Sequence, residues 1–262
     1  MSQPNPPTLL KAQSIDVSIG GLEIVRDLSF EVKAHEFWGV LGRNGSGKTT
    51  LLNALAGLHS LDGGQVCLMG EPLLRQNRKT TAQRLGMLTQ HTDYAFEATC
   101  EQTALIGRHP HLGPWSRESA ADHALVQHAL ERLGLGHLSS RSCLNLSGGE
   151  SRRLALATLL VQDPNVFLLD EPTNHLDPAN QVSVLNVIGQ HVRTQQRAGL
   201  MALHEVNLAT CYCSHCLMLF GEGRWMAGPT HELLTTENLS ELYGCSIRLV
   251  DDGQQQVFAV GA

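Results

Sequence analysis

Residues 42–50 read Gly-Arg-Asn-Gly-Ser-Gly-Lys-Thr-Thr. Glycines at 42, 45 and 47 let the backbone curl until its N–H groups converge, which is how a chain cradles phosphate oxygens. The run Gly42, Arg43, Asn44, Gly45, Ser46, Gly47, Lys48, Thr49 satisfies G-x-x-x-x-G-K-[ST], with Thr50 directly after it. Lys48 supplies a cation for the β- and γ-phosphates, and the Thr49 hydroxyl is suited to Mg²⁺. The helix expected after the loop adds the positive end of its dipole. The chemistry this pattern implies is binding of a nucleoside triphosphate together with Mg²⁺.

Two acids follow an apolar run, Val166-Phe167-Leu168-Leu169-Asp170-Glu171. At the carboxyl end of a parallel strand beside a phosphate cradle, Asp170 can hold Mg²⁺ through water. Glu171 points elsewhere and is placed to polarise an attacking water. Taken alone, an Asp-Glu pair is equally well read as a solvated strand end. A second phosphate-competent stretch, Ser147-Gly148-Gly149-Glu150, opens what reads as a helix, with no lysine after it. The cradle at 42–49 already accounts for one nucleotide, which leaves open whose phosphate this second stretch serves.

Elements must carry these residues to one place. Residues 37–41 are a short apolar run, expected as a buried strand entering the cradle, and 51–58 have helical spacing. Strands are expected at 65–70, 84–90, 165–172, 200–205 and 216–220. Helices are expected at 178–196 and 205–215. Residues 8–37 carry short β-like runs broken at Gly20-Gly21, and the tail from about 230 reads as one short helix and one short strand. Strands alternating with helices predict a parallel α/β core. Between about 91 and 163 the pattern is helical, which predicts an inserted helical subdomain. Pro4, Pro6 and Pro7 mark a short disordered leader.

The chain has 262 residues, is 42% hydrophobic and 17% charged, and has a formal net charge of −6. This is an ordinary globular composition with room for a sizeable core. The acidic balance argues against a nucleic-acid partner. The opening MSQPNPPTLL lacks the regions of a secretory leader, and no run approaches 18 apolar residues. Seven irregularly spaced cysteines predict free thiols in a reducing compartment. Cys211, Cys213, His215 and Cys216 suggest a metal cluster, but consecutive helical positions do not converge on one ion, so packing is the expected role.

The order GRNGSGKT, Gln90, LSGGE, LLDEP, NHLD and His204 resembles the ATP-binding cassette (ABC) ATPases across essentially the whole chain. That resemblance implies an α/β fold: a P-loop NTPase with a RecA-like parallel-sheet core, an N-terminal antiparallel β subdomain and an inserted helical signature subdomain. The corresponding division is about 8–90, about 91–163 and about 164–262. It implies that Gln90 senses Mg²⁺ and the attacking water, and that Glu171 is the general base. It implies that His204 contacts the γ-phosphate and Asp177 belongs to the D-loop. Ser147, Gly148, Gly149 and Glu150 match the signature, which caps the nucleotide of a partner subunit in a head-to-tail dimer. Ile19 stands where the family usually has an aromatic to stack on adenine, which predicts weaker base discrimination.

Cradle and signature lie about a hundred residues apart with no heptads between them, and there is a single cassette. This fits the motor of a transporter better than a DNA-repair or translation ATPase. Such a motor implies a polytopic membrane permease, indirectly a substrate-binding protein, and a peripheral place on the cytoplasmic face of the inner membrane. ALHEVNLA (202–209), ALIGRHPHLG (104–113) and TTENLSELYG (235–244) resemble importer ATPases for iron-siderophores, haem and cobalamin. The alternatives are an importer of another metal or an oxyanion, and a soluble regulatory module without transport. The permease groove is expected near Gln90 and the insert, including Phe96, Pro114 and Trp115, unless Trp115 simply packs the insert.

Overall fold

The computed structural model describes residues 6–90, 94–251, 253 and 256–261. Most of the expected leader, including Pro4, lies outside them. The chain begins with a long hairpin, β1 (Thr8–Ile19) and β2 (Leu22–Lys33), turned by Gly20 and Gly21 at φ 57° and 83°. Left-handed backbone at both turn positions matches the twist of the flanking strands. Next come β3 (Phe37–Gly42), α1 (Lys48–Leu55), β4 (Gly63–Leu68) and the two-residue β5 (Glu71–Pro72). Then follow α2 (Arg78–Arg84) and β6 (Leu85–Leu88).

The middle of the chain is helical. It holds α3 (Cys100–Leu105), α4 (Ala120–Arg132) and α5 (Gly148–Gln162), and its extended pairing among the described residues is one bridge, Thr99 to Ser142. After it come β7 (Val166–Asp170), α6 (Pro178–Thr194), β8 (Ala198–Ala202), α7 (Val206–Tyr212), β9 (His215–Gly221) and β10 (Arg224–Pro229). The chain closes with α8 (Thr230–Leu233), α9 (Thr236–Tyr243) and the hairpin β11 (Ile247–Asp251) and β12 (Gln256–Val260).

The larger sheet has strand order β10-β9-β3-β8-β7-β6, parallel except for β10 at one edge. The smaller is antiparallel, β2-β1-β4-β5. Strands β3, β7 and β8 are buried at every position, as expected for a sheet covered on both faces. One core lies with α1 and the antiparallel sheet, around Leu10, Leu28, Val40, Leu52 and Leu168. The other gathers the insert and the later helices around Leu130, Leu154, Phe167 and Ile188.

Several elements differ from their expected form. The helix expected over 205–215 stops at Tyr212, and His215 already stands on β9, where Trp38 stacks on its ring at 4.8 Å. The tail contains two short helices and a hairpin, and α2 and β10 have no counterpart in the pattern reading. Helix α3 passes into a 3₁₀ segment, Ile106–His111, because Pro110 cannot continue an α-helix. Trp115 does not pack the insert: it is 98% exposed, with Phe96 at 84%.

Gly107 lets the 3₁₀ segment lie directly on α5. A Cβ there would strike the Thr158 carbonyl and the Gln162 amide. Gly107→Ala is expected to destabilise the protein by about 1–3 kcal/mol through overpacking. Urea unfolding checks this, and ATP affinity should remain within about twofold.

Candidate nucleotide site

Four neighbouring parallel strands end at one edge of the sheet, in the order β3, β8, β7, β6. The glycine-rich loop leaves β3, His204 lies two residues past β8, Asp170 and Glu171 end β7, and Gln90 lies two residues past β6. In open α/β sheets the crevice past the carboxyl ends of the strands is where ligands bind. A cleft of about 360 Å³ is lined there by Asn44 to Thr50, Gln90, Glu171, His204, and the aliphatic Ile19, Leu22 and Ile24.

The cradle requires its glycines. Gly45 and Gly47 have φ of 77° and 90°, and a Cβ on Gly47 would run into Ile24. A Cβ on Gly42 would strike Ser46 and approach the Leu219 carbonyl to 3.0 Å. Gly47 caps α1 without any side-chain hydrogen bond, so the first amides of that helix face the loop's concavity uncapped. Lys48 is buried, and its Nζ donates to the carbonyls of Gly42 (2.9 Å) and Arg43 (3.2 Å). Burial pulls its pKa down, opposed by the charges of Glu171 and Asp170.

Asp170 is fully buried, and among the described residues neither carboxylate oxygen accepts a well-formed hydrogen bond. Burial pushes its pKa up, with the Thr49 hydroxyl opposing that rise. A buried carboxylate without partners is costly, and a bound cation relieves it. The donor set on hand is this carboxylate and the Thr49 hydroxyl beside it, with Gln90, whose Nε2 donates to Glu171, lining the same cleft. These hard oxygens fit Mg²⁺.

Glu171 is a buried acid in left-handed backbone, φ 49°. Non-glycine residues hold this conformation only where surrounding bonds over-determine it. Its Oε2 accepts from Gln90 Nε2 (3.0 Å) and from Asn174 Nδ2, and its Oε1 faces His204 Nε2. The expected catalytic residues Glu171, His204 and Gln90 therefore meet in one cluster.

Ser147, Gly148, Gly149, Glu150 and Asp177 do not line this cleft. Ser147 and Gly148 are exposed at the start of α5. There the Ser147 hydroxyl accepts from Glu150 N (3.3 Å), while the Glu150 carboxylate accepts from Ser147 N and Oγ, both at 2.8 Å. This is a reciprocal capping box, and it holds the Glu150 carboxyl below its ordinary pKa. Asp177 caps α6 one-sidedly, its carboxylate accepting from Asn180 N at 2.9 Å and from Asn180 Nδ2 at 2.7 Å.

Two participants escaped the sequence reading. Asn174 lay inside a quoted motif without a role. Arg152 is 5% exposed and bonds the backbone beside Gln90 and Glu171. The available signal was a basic residue on the apolar stripe of α5, in step with Leu156 and Leu159. The thiols of Cys213 and Cys216 face Gly39 in the core, and burial pushes Cys216 up to about 11.

A phosphate-cradling loop between β3 and α1, with carboxylates at the end of β7, defines a P-loop nucleotide-binding protein. Residues 25–174 match the ABC transporter family. Among curated relatives, the haemin import ATP-binding protein HmuV of Pseudomonas fluorescens (strain Pf0-1) is 38% identical over 245 residues, covering 91% of this chain and 94% of HmuV. The ferric enterobactin transport ATP-binding protein FepC of Escherichia coli (strain K12) is 32% identical over 244 residues, covering 93% and 90%. A solved metal-chelate type ABC transporter in an inward-facing conformation superposes with a TM-score of 0.84 at 25% identity, covering 97% of this chain and 98% of that one. Some relatives are longer; the chain spans 54% of YvrA of Bacillus subtilis (strain 168). The chain belongs to the ATP-binding subunits of ABC transporters, a family of ATPases.

The Asp170 environment carries a sign that can be measured. Its pKa is raised in the fold, so the ionised form costs stability above that raised value. Asp170→Asn is therefore expected to raise the melting temperature at pH 7, by about 2–4 °C per kcal/mol relieved. The gain should vanish below the ordinary carboxylate range, where Asp170 is protonated in both states. Thermal melts without nucleotide, taken stepwise from pH 7 down past the ordinary carboxylate range, test this, alongside loss of hydrolysis.

Proposed function

We propose that this chain is the ATP-hydrolysing motor of an ABC importer for a metal-chelate cargo of the iron-siderophore, haem or cobalamin type. The observation that carries the reading is a division of labour. The cleft gathers cradle, base and histidine in one chain, while a second phosphate-competent helix start stands exposed outside it. Such a chain completes its site with a second copy, head to tail.

In this mechanism the Gly42–Thr50 loop binds the phosphates, and Lys48 exchanges its carbonyl partners for the β- and γ-phosphates. Thr49, Gln90 and Asp170 would hold Mg²⁺, which neutralises charge developing between the β- and γ-phosphates. Gln90 and Asn174 fasten one oxygen of Glu171, leaving the other to take the proton of the attacking water. His204 stands beside that oxygen and reaches the γ-phosphate. The amides of Gly148 and Gly149 from the partner subunit close over the γ-phosphate. ATP thereby joins the two subunits, and hydrolysis releases them.

Among the described residues, no helix is long and apolar enough to cross a membrane. A separate permease supplies the path, and the motor sits peripherally beneath it, on the cytoplasmic face of the inner membrane. A cleft of about 650 Å³, bordered by Ala56, Leu58, Leu74, Ala82 and Met87, offers it an apolar seat. The exposed Phe96 and Trp115 offer it further apolar contacts on the insert. The names of the relatives support the cargo class, and a binding protein that delivers the cargo completes the system.

Glu171→Gln is expected to keep ATP affinity, accumulate an ATP-bound dimer in light scattering and lower kcat about 10²–10⁴-fold. Wild-type turnover in this variant would remove Glu171 from the base position. Ser147→Arg should retain ATP binding yet lose hydrolysis and ATP-driven dimerisation, at a cap cost of about 1 kcal/mol. Loss of ATP binding by the folded variant would instead mean that the α5 start acts within its own chain.

A further inference from the structure

Arg152 lies in the second turn of α5, and its guanidinium reaches four backbone carbonyls. Nη1 donates to Thr89 O and to Gln90 O (3.2 Å). Nη2 donates to Asp170 O and to Glu171 O (2.9 Å). The β6–β7 ladder ends at the Leu88–Leu169 pair, and these four carbonyls are the next two on each strand. One side chain thus gathers both strand ends, at the positions that carry Gln90, Asp170 and Glu171.

This is an expensive way to hold a sheet together. The guanidinium is buried, and among the described residues it forms no ion pair. Its Nε has no hydrogen-bond partner. An apolar side chain of similar length on the stripe with Leu156 and Leu159 would fill the volume without desolvating a charge. What an apolar side chain could not do is turn two successive carbonyls, those of Asp170 and Glu171, toward one point. That convergence accompanies the left-handed φ of Glu171, which aims its carboxylate at Gln90, Asn174 and His204.

We propose that Arg152 is a positioning residue that holds Glu171 and Gln90 in reacting geometry and ties that geometry to the seat of α5. The proposal rests on the reading of Glu171 as the base. The start of α5, Ser147 to Gly149, is the surface that meets the partner subunit's nucleotide, and Arg152 follows it by one turn. The Tyr94 hydroxyl donates to Ser151 O (3.4 Å), a second tie between α5 and the segment after Gln90. Seating α5 on one nucleotide therefore moves the carbonyl clamp behind the base of the other site. The two sites are coupled through a rigid helix and one guanidinium.

The test compares wild type, Arg152→Lys, Arg152→Met, Glu171→Gln and the Arg152→Lys/Glu171→Gln double variant of the full chain. Phosphate release gives kcat, and a fluorescent ATP analogue gives Kd. Lysine keeps the charge but cannot span four carbonyls, so Arg152→Lys should lower kcat about 100-fold with Kd unchanged within about threefold. Arg152→Met should do the same where it folds; where it does not, Arg152→Lys decides. In the Glu171→Gln background the lysine change should cost less than about threefold, because the group it positions is gone. The proposal is overturned by wild-type turnover in Arg152→Lys, by parallel losses of kcat and affinity, or by a loss that multiplies in full on Glu171→Gln. Full turnover in Glu171→Gln alone would instead sink the reading of the site itself.

Discussion

The desolvated charge at the end of β7 governs this structure. Asp170 and Glu171 are adjacent, buried and mutually repulsive, and burial raises the Asp170 pKa further. Two cations stand close enough to oppose that rise, Arg152 from α5 and Lys48 from the cradle. Each comes from a different element, and each is itself held down by burial. The two cations offset only part of the desolvation cost of Asp170, whose pKa stays raised. The cradle, the signature helix and the carboxylate strand are thereby obliged to meet at one point.

Strand order converts that local demand into a site. The chain visits β3, β6, β7 and β8 in sequence, but the sheet arranges them as β3, β8, β7, β6. His204, last of the four groups along the chain, is thereby inserted between the cradle and Glu171. Gln90, second along the chain, moves to the outside, where its amide reaches Glu171. The crossovers α1, α5, α6 and their neighbours cover both faces of the sheet, so its central strands β3, β8 and β7 are buried at every position. Groups separated by 156 positions, from Lys48 to His204, are held to hydrogen-bond tolerances by this arrangement.

The parts legible in the sequence are those with a strong local rule. The glycine-rich loop, the apolar run into Asp170 and the helical spacing of α5 each carry a backbone requirement within ten or so residues. The parts that were not legible depend on distant partners. Helix α2 has no buried residue of its own, so it shows no apolar stripe to read. Strand β10 alternates only weakly because it is an edge strand paired on one side. Residues 205–215 have helical composition throughout, yet the last of them is drawn onto β9 by pairing with β3 and β10. Arg152 was passed over because arginine in a helix is ordinarily a surface residue; only burial against the ends of two strands reveals its work.

The two glycine-bearing helix starts differ in a way that bears on which nucleotide each serves. At α1 the cap is Gly47, whose side chain offers nothing, so the amides of the first turn lack a protein partner and face the cleft. At α5 the cap is Ser147, and Ser147 and Glu150 satisfy one another completely. A helix start of the first kind depends on a ligand within its own fold. One of the second kind is self-sufficient, so it can stand in solvent on the free subunit at no cost, its Gly148 and Gly149 amides still bare. Gly148 has open space where a Cβ would stand, whereas a Cβ on Gly149 would crowd Leu176 at 3.3 Å and the His175 carbonyl at 3.4 Å. Neither glycine is required by a left-handed turn, since both have ordinary helical backbone. At Gly148 the fold of one chain gives no reason for the missing side chain; under the proposed head-to-tail arrangement, it leaves room for a phosphate held by a second copy.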